Sequence, residues 1–87
     1  MEVIYHRNFE KRYLKLKPGE MRKFKERQAI FMRYPFHPVL KHHPLHGRYA
    51  GYRSIDITGD LRVHYEQVAD NTVMFSIIGT HHELYGK

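Results

Sequence analysis

Histidines are unevenly distributed along this chain, because seven of the eight lie in residues 35–87. An imidazole has an ordinary pKa of about 6.5, so near pH 7 one histidine can accept a proton while another donates one. Positioned proton transfer of this kind contributes about 10²–10⁴-fold to a reaction rate. The same part of the chain holds Asp56, Asp60 and Arg62, which add carboxylates and a fixed cation. These residue types suit general acid–base chemistry if the fold brings them together.

An alternating pattern indicates how the fold could do so. Apolar Leu61, Val63 and Tyr65 alternate with ionisable residues, which are Arg62, His64 and Glu66. Since successive side chains of a strand point to opposite faces, this strand has one apolar and one ionisable face. Residues 54–57 alternate in the same way, whereas Arg53 falls on the apolar side. We therefore expect a sheet whose open face exposes Asp56, Asp60, Arg62 and His64.

The remaining elements are predicted from turn, cap and periodicity signals. Residues 2–6 form a short strand, Asn8 is the N-cap of a first helix that ends near Lys17, and Pro18 begins a second helix that stops at Pro35. Three strands follow at residues 48–57, 61–68 and 72–78, joined by turns at 58–60 and 69–71. The predicted fold is one α+β domain over residues 1–87. Its element order is β-α-α-β-β-β, with a helical hairpin on a mostly antiparallel sheet.

The charge lies mainly in the predicted helices. Residues 1–34 contain ten lysines or arginines and four acids, and this excess equals the whole net charge of +6. A basic surface of this kind favours a polyanionic partner, with binding that weakens steeply as salt rises. The chain has no cysteine, which excludes disulfides and thiolate metal sites, and its N-terminus is too polar for a signal peptide. We expect a cytoplasmic protein.

Several histidines lie close together in the proline-rich stretch of residues 35–47. They are His37, His42, His43 and His46, and His81 and His82 follow the last strand. Their spacing matches no recognised metal-ligand pattern and the predicted loop gives them no fixed geometry. We therefore expect neither a native metal site nor another cofactor.

Four short motifs occur in register in the C-terminal half of the chain. They are His43-Pro44-Leu45-His46-Gly47, Gly51-Tyr52-Arg53, Thr58-Gly59-Asp60-Leu61-Arg62 followed by Tyr65, and Gly79-Thr80-His81-His82-Glu83-Leu84-Tyr85-Gly86. Together they resemble the YafQ-like branch of the RelE toxins of bacterial toxin–antitoxin pairs. The resemblance covers about the last 45 residues by motif and the remainder by element order.

The resemblance implies an endoribonuclease that cuts mRNA in the ribosomal A site and is inhibited by a cognate antitoxin, in a complex that could be heterotetrameric. The family's site residues fall on His43, Asp60, His81 and Tyr85, and the phosphate-binding arginine of the wider group falls on Arg62. We predict that His81 is the acid and that His43 or Asp60 is the base or its orienter. Tyr85 would stack on a base or assist proton transfer.

The predicted RNA contacts are four residues of the helices, Lys11, Lys15, Arg22 and Lys23, together with Arg53 and Asp56. The chain departs from the family pattern at two positions. Asp56 stands where a histidine is common, and Leu61 stands where a tryptophan is common. The first departure bears on acid–base chemistry and the second on base stacking.

Other functions and simpler roles remain open. Asp60 could be an ordinary turn residue, His81 a surface histidine, and Arg62 the ion-pair partner of Glu66 or Asp56. A ParE-like toxin that binds gyrase shares the scaffold without an acid–base site, and a non-catalytic RNA-binding protein would need only the charge and the aromatic residues. The co-occurrence of His43, Asp60 and His81 favours the nuclease.

Overall fold

A computed structural model describes residues 1–86 of the chain. Its elements, in chain order, are β1 (Glu2–Tyr5), α1 (Arg7–Tyr13), α2 (Pro18–Arg33), β2 (His43–Pro44), β3 (Arg53–Asp56), β4 (Leu61–Ala69), β5 (Thr72–Thr80) and α3 (His81–Tyr85). The predicted β-α-α-β-β-β order is confirmed. The structure adds the short elements β2 and α3, and both carry residues of the candidate site.

The five strands form one sheet in the order β1-β5-β4-β3-β2. β1 pairs parallel to β5, and all other pairs are antiparallel. β1 pairs with only the first half of β5, and α1 packs against β5 as well. The helices α1 and α2 pack on one face of the sheet. The opposite face of β3 and β4, together with the C-terminal end of β5, carries the candidate site.

The second helix begins as predicted. Pro18 occupies its first turn, and the Glu20 carboxylate accepts the Lys17 N–H at 2.9 Å, which satisfies a backbone donor that the helix cannot. One face of α2 buries Phe24 and Phe31. Their rings, together with that of Phe9 from α1, lie with centroids within 6.0 Å of the Phe75 ring on β5. Aromatic burial between the helical hairpin and the sheet therefore forms the core.

The predicted limits of the first helix are wrong at both ends. The N-cap is His6, whose Nδ1 accepts the Asn8 N–H at 3.0 Å, so Asn8 already lies inside the helix. The α-helix ends at Tyr13, and a turn fills the chain to Lys17. An imidazole nitrogen can cap a helix as a carboxamide does, although sequence preference favours Asn.

The strand predicted for residues 48–57 corresponds to β3, which begins at Arg53 rather than at residue 48. Gly47 and Gly51 have φ values of +65° and +95°, in the left-handed region that favours glycine, and a 3₁₀ turn spans Gly47–Tyr49. Residues 45–52 therefore form a loop at the edge of the sheet. This difference matters because the loop carries Tyr49 to the site.

A β-bulge sets which side chains share each face. His64 pairs with Ile77 but Tyr65 pairs with Phe75, so Ser76 is the extra residue. Val63 and Tyr65 face the helices, while Arg62 and His64 face the opposite side, as the alternation predicts. Leu61 lies in the core at 3% exposure, so its side chain presents no stacking surface.

No helix within residues 1–86 is both long enough and apolar enough to span a membrane.

Candidate functional site

Two rows of paired residues form the floor of the candidate site. His43 of β2, Ser54 of β3 and His64 of β4 are partners across adjacent strands. The next row pairs Asp56 with Arg62. Directly opposite residues project to the same side of a sheet, so the two rows share the face turned away from the helices.

Arg62 is held in place by contacts from two directions. Its Nε lies 3.4 Å from Asp56 Oδ1, and its Nη1 donates to the Asp60 carbonyl oxygen at 2.7 Å. Arg62 stays partly exposed, whereas Asp56 is 9% exposed, so the prediction that the Asp56 carboxylate lies open is wrong. The carboxylate orients the guanidinium, which keeps further donors for a phosphate in a fork geometry.

Asp60 lies where the β3–β4 turn meets the start of α3. Thr58 Oγ1 accepts the N–H groups of Asp60 and Leu61, at 3.3 and 2.9 Å, so the threonine supplies the side-chain acceptor of the turn. The Asp60 carbonyl oxygen accepts the His81 N–H at 3.1 Å, and its Oδ1 lies 3.4 Å from the same nitrogen. The exposed Asp60 carboxylate is thus adjacent to the backbone of His81.

The last helix positions His81 and Tyr85 one turn apart. Thr80 and Glu83 form a capping box that begins α3: the threonine hydroxyl accepts the Glu83 N–H and the carboxylate accepts the Thr80 N–H. The rings of His81 and Tyr85 have centroids 4.5 Å apart. Burial raises the pKa of Tyr85, and Tyr49 and Asp56 add to this effect while Arg62 opposes it. The phenol is therefore a hydrogen-bond donor at physiological pH.

His43 is exposed and has a defined tautomer. Its Nδ1–H donates to the Lys41 carbonyl oxygen at 2.7 Å. In the neutral ring this leaves the Nε2 lone pair free, which is the form a general base requires.

His64 was not among the predicted catalytic residues, although it is central to the site. Its Nε2 lies 3.2 Å from the Tyr85 hydroxyl, and the rings of Tyr49 and Tyr85 both lie 5.3 Å from it. These rings cover it, so it is 1% exposed rather than open as predicted. Burial, followed by the positive charges of His43 and Arg62, lowers its pKa to about 4, so the ring is neutral at pH 7. The alternation of β4 predicted the face on which His64 lies but not its burial by Tyr49 and Tyr85.

Tyr49 is a second residue that the sequence reasoning missed. Its hydroxyl donates to the Leu84 carbonyl oxygen at 2.6 Å and so ties the 45–52 loop to α3. The two glycines that flank the Arg48–Ala50 segment were the signal for this loop.

The residues predicted to contact RNA do not all lie on the face of the sheet that carries the candidate site. Arg53 pairs with Tyr65 and lies on the helix side, where it lines a groove with Phe36 and His42, so it is on the opposite face from Asp56. Lys11 on α1, Lys15 in the turn after it and Arg22 on α2 are exposed, but Lys23 lies 3.3 Å from Glu26 in an ion pair.

The clustered histidines separate in the structure. His37 caps the 3₁₀ turn at residues 38–40, while His42 donates to the Pro35 carbonyl oxygen and accepts the Tyr65 hydroxyl. Within residues 1–86, no three His, Asp or Glu side chains are grouped as metal ligands.

Solved structures place the chain in the RelE-like class of bacterial toxins. YafQ from E. coli strain BL21(DE3) is 28% identical, with 98% of both chains covered and a TM-score of 0.80. A chain of the E. coli DinJ–YafQ toxin–antitoxin complex is 29% identical, with coverage of 98% and 97% and a TM-score of 0.77. The YoeB/ParE toxin from Agrobacterium tumefaciens, at 22% identity, 93% and 99% coverage and a TM-score of 0.77, shares the fold.

The particular family follows from a family model, described as a bacterial toxin of type II toxin–antitoxin system, YafQ, which matches residues 1–86. The chain belongs to the YafQ toxin family, and the resemblance seen in its C-terminal motifs is confirmed. No curated protein sequence matches it significantly.

Proposed function

We propose that this toxin is an endoribonuclease that cleaves mRNA on the ribosome, using side chains of the face that contains Arg62, His43, His81 and Tyr85. The convergence on one face of a fixed arginine, two exposed imidazoles and a protonated phenol carries this proposal. Scattered surface residues rarely combine a cation with acid and base groups in this way.

The proposed reaction is attack of an RNA 2′-hydroxyl on the adjacent phosphate. A bond forms between the 2′-oxygen and phosphorus, and the bond from phosphorus to the 5′-oxygen breaks. A base must take the 2′-hydroxyl proton, and an acid must protonate the departing 5′-oxygen. The products are a 2′,3′-cyclic phosphate and a 5′-hydroxyl.

Two histidines suit the proton transfers. His43 presents a free Nε2 lone pair because Lys41 holds its Nδ1–H, and this supports its role as the base. His81 begins α3 beside Tyr85 and is exposed to solvent, which supports its role as the acid. Asp60 then orients His81 through the α3 backbone.

Arg62 is proposed to bind the non-bridging phosphate oxygens, on which negative charge increases during the attack. Asp56 stands where a histidine is common in the family, and its contact with Arg62 supports an orienting role. The chain would thus retain a nuclease site despite this departure from the family pattern.

Three exposed residues of the helical hairpin, Lys11, Lys15 and Arg22, are proposed to contact ribosomal RNA phosphates. Such contacts release counterions, so binding to the ribosome should weaken as salt rises. Arg53 lies on the other face and is proposed only as a peripheral RNA contact.

A cognate antitoxin is the proposed inhibitor. This proposal is supported by the similarity to a chain of the E. coli DinJ–YafQ toxin–antitoxin complex, which extends over 98% of this toxin and 97% of that chain. A heterotetramer of two toxins and two antitoxins is the proposed assembly. The net charge of +6 favours an acidic antitoxin segment.

The test is induction of the toxin in cells, followed by mapping of mRNA 5′ ends. The wild type should cut within codons of translated messages, and His81→Ala and Asp60→Ala should each reduce cutting by roughly 10²-fold. The matched controls are His82→Ala, at the exposed neighbour of His81, and Asp70→Ala, in the β4–β5 turn. Both should cut like the wild type. Growth arrest with intact mRNA and damaged DNA would instead support a gyrase-binding toxin.

A further inference from the structure

Two buried polar atoms without partners belong to paired residues beneath the candidate site. Ser54 is 0% exposed and His64 is 1% exposed, and the two residues are partners across β3 and β4. Among residues 1–86, neither Ser54 Oγ nor His64 Nδ1 has a hydrogen-bond partner. Burying unpaired polar atoms destabilises a fold, whereas apolar side chains at these positions would pack without that cost.

One hydrogen bond between the two side chains would satisfy both atoms at once. Directly opposite residues have Cβ atoms about 4.5–5.5 Å apart, which brings a serine hydroxyl within reach of an imidazole on the same face. The Ser54 O–H would then donate to His64 Nδ1. With Nδ1 as the acceptor, a neutral imidazole carries its proton on Nε2.

The tautomer of His64 determines what Tyr85 can do. A proton on Nε2 donates to the Tyr85 hydroxyl oxygen, which lies 3.2 Å away. The phenol then cannot donate its own proton to His64 and must direct it elsewhere. The neighbouring ring of Tyr49 and that of His81 restrict the phenol further.

We infer that Ser54 and His64 are positioning residues that turn the Tyr85 O–H toward the scissile phosphate of the RNA. Tyr85 donates a hydrogen bond to a non-bridging phosphate oxygen and keeps its proton throughout the reaction. Ser54 and His64 would act through Tyr85 and would not contact the RNA themselves. This inference rests on the proposed nuclease function and adds two residues, Ser54 and His64, to its site.

The nuclease arm of the test measures single-turnover mRNA cleavage on purified translating ribosomes. Tyr85→Phe should slow cleavage by roughly 10²-fold, as loss of one oriented donor to a developing oxyanion does. His64→Leu should slow it at least ~10-fold, while the affinity for ribosomes stays the same. His64→Gln, whose amide N–H can occupy the place of Nε2–H, should retain more activity than His64→Leu.

A double variant separates positioning from a general structural effect. If His64 acts through Tyr85, adding His64→Leu to Tyr85→Phe should produce little further loss, because interacting residues are not additive. Ser54→Ala should show the same dependence on Tyr85. Multiplied losses in the double variants, or full activity in His64→Leu, would overturn the inference.

The folded state is tested independently of catalysis. ¹⁵N NMR of the His64 ring in the wild-type toxin should show the proton on Nε2, and Ser54→Ala should increase the population protonated on Nδ1. A proton on Nδ1 in the wild type would refute the relay even if the toxin cleaves RNA. Conversely, a toxin without cleavage activity but with the Nε2–H tautomer would refute the nuclease and leave the side-chain arrangement intact.

Discussion

At the scale of single residues, the site is organised by groups that the fold keeps in one protonation state. Arg62 is oriented by Asp56, and Tyr85 stays protonated, since the ordinary pKa of a phenol lies well above 7 and burial raises it further. His64 is the clearest case, since burial lowers its pKa to about 4 and leaves it neutral at pH 7. The proposed function therefore assigns proton transfer to the exposed imidazoles of His43 and His81.

The low pKa of His64 predicts a dependence of stability on pH. Above about pH 6.5 the imidazole is neutral in both the folded and the unfolded chain. Between pH 6.5 and about 4 the unfolded chain binds a proton that the folded protein does not, so the free energy of unfolding falls as pH falls. The titratable and charged groups that face His64 are His43, Arg62, Tyr49 and Tyr85, and none of them supplies a nearby negative charge at these pH values.

The substitution His64→Leu should remove this contribution. Between pH 7.5 and pH 5, the free energy of unfolding of the wild type should fall by about 2 kcal/mol more than that of His64→Leu, measured by urea denaturation. His42 also has a lowered pKa, so some pH dependence should persist in the variant. His82→Gln, at an exposed histidine, should follow the wild type. Parallel curves for His64→Leu and the wild type would contradict the account.

At the scale of elements, the site depends on the junction between the 45–52 loop and α3. The helix has five residues, which is too short to be stable by itself, so its position is set by contacts with the sheet and loop. Tyr49 supplies one of these contacts, because its hydroxyl donates to the carbonyl oxygen of Leu84. Gly79 permits a second contact, between Arg12 of α1 and Glu83 of α3, because a Cβ at position 79 would lie 2.9 Å from Arg12 Nη1 and 3.0 Å from Glu83 Oε1.

The substitution Tyr49→Phe should loosen α3 without unfolding the protein. Loss of one hydrogen bond costs about 1 kcal/mol, so amide hydrogens of residues 81–86 should exchange several-fold faster while those of β4 and β5 are unaffected. Cleavage should also slow several-fold, because His81 and Tyr85 lie on this helix. Tyr34→Phe, at an exposed tyrosine after α2, is the control. Unchanged exchange in α3, or faster exchange throughout the protein, would show that Tyr49 does not anchor the helix.

Sequence reasoning recovered the elements whose signals are local. Pro18 and Pro35 predicted the start and the end of α2, and the alternation after Asp60 predicted the faces of β4. The start of α3 also has a local signal, since Thr80 and Glu83 have the spacing of a capping box. By contrast, the burial of His64 depends on Tyr49 and Tyr85, which are distant in the chain, and no local pattern encodes that cover.

At the scale of the whole molecule, charge and chemistry lie on different parts of the fold. The basic residues are concentrated on the helices, whereas residues 35–87 are nearly balanced in charge and carry the candidate site. The helices pack on one face of the sheet and the site lies on the other. Under the proposed function, the helices would bind ribosomal RNA and the opposite face would act on mRNA.

The central claim is that the face around Arg62 cleaves RNA through the 2′-hydroxyl, and the chemistry of the cut ends tests it most directly. Purified toxin is added to translating ribosomes, and the upstream mRNA fragment is recovered and its 3′ end identified by mass spectrometry. The account predicts a 2′,3′-cyclic phosphate paired with a 5′-hydroxyl on the downstream fragment, with both lost in Arg62→Ala. Fragments ending in a 3′-hydroxyl and a 5′-phosphate would contradict it.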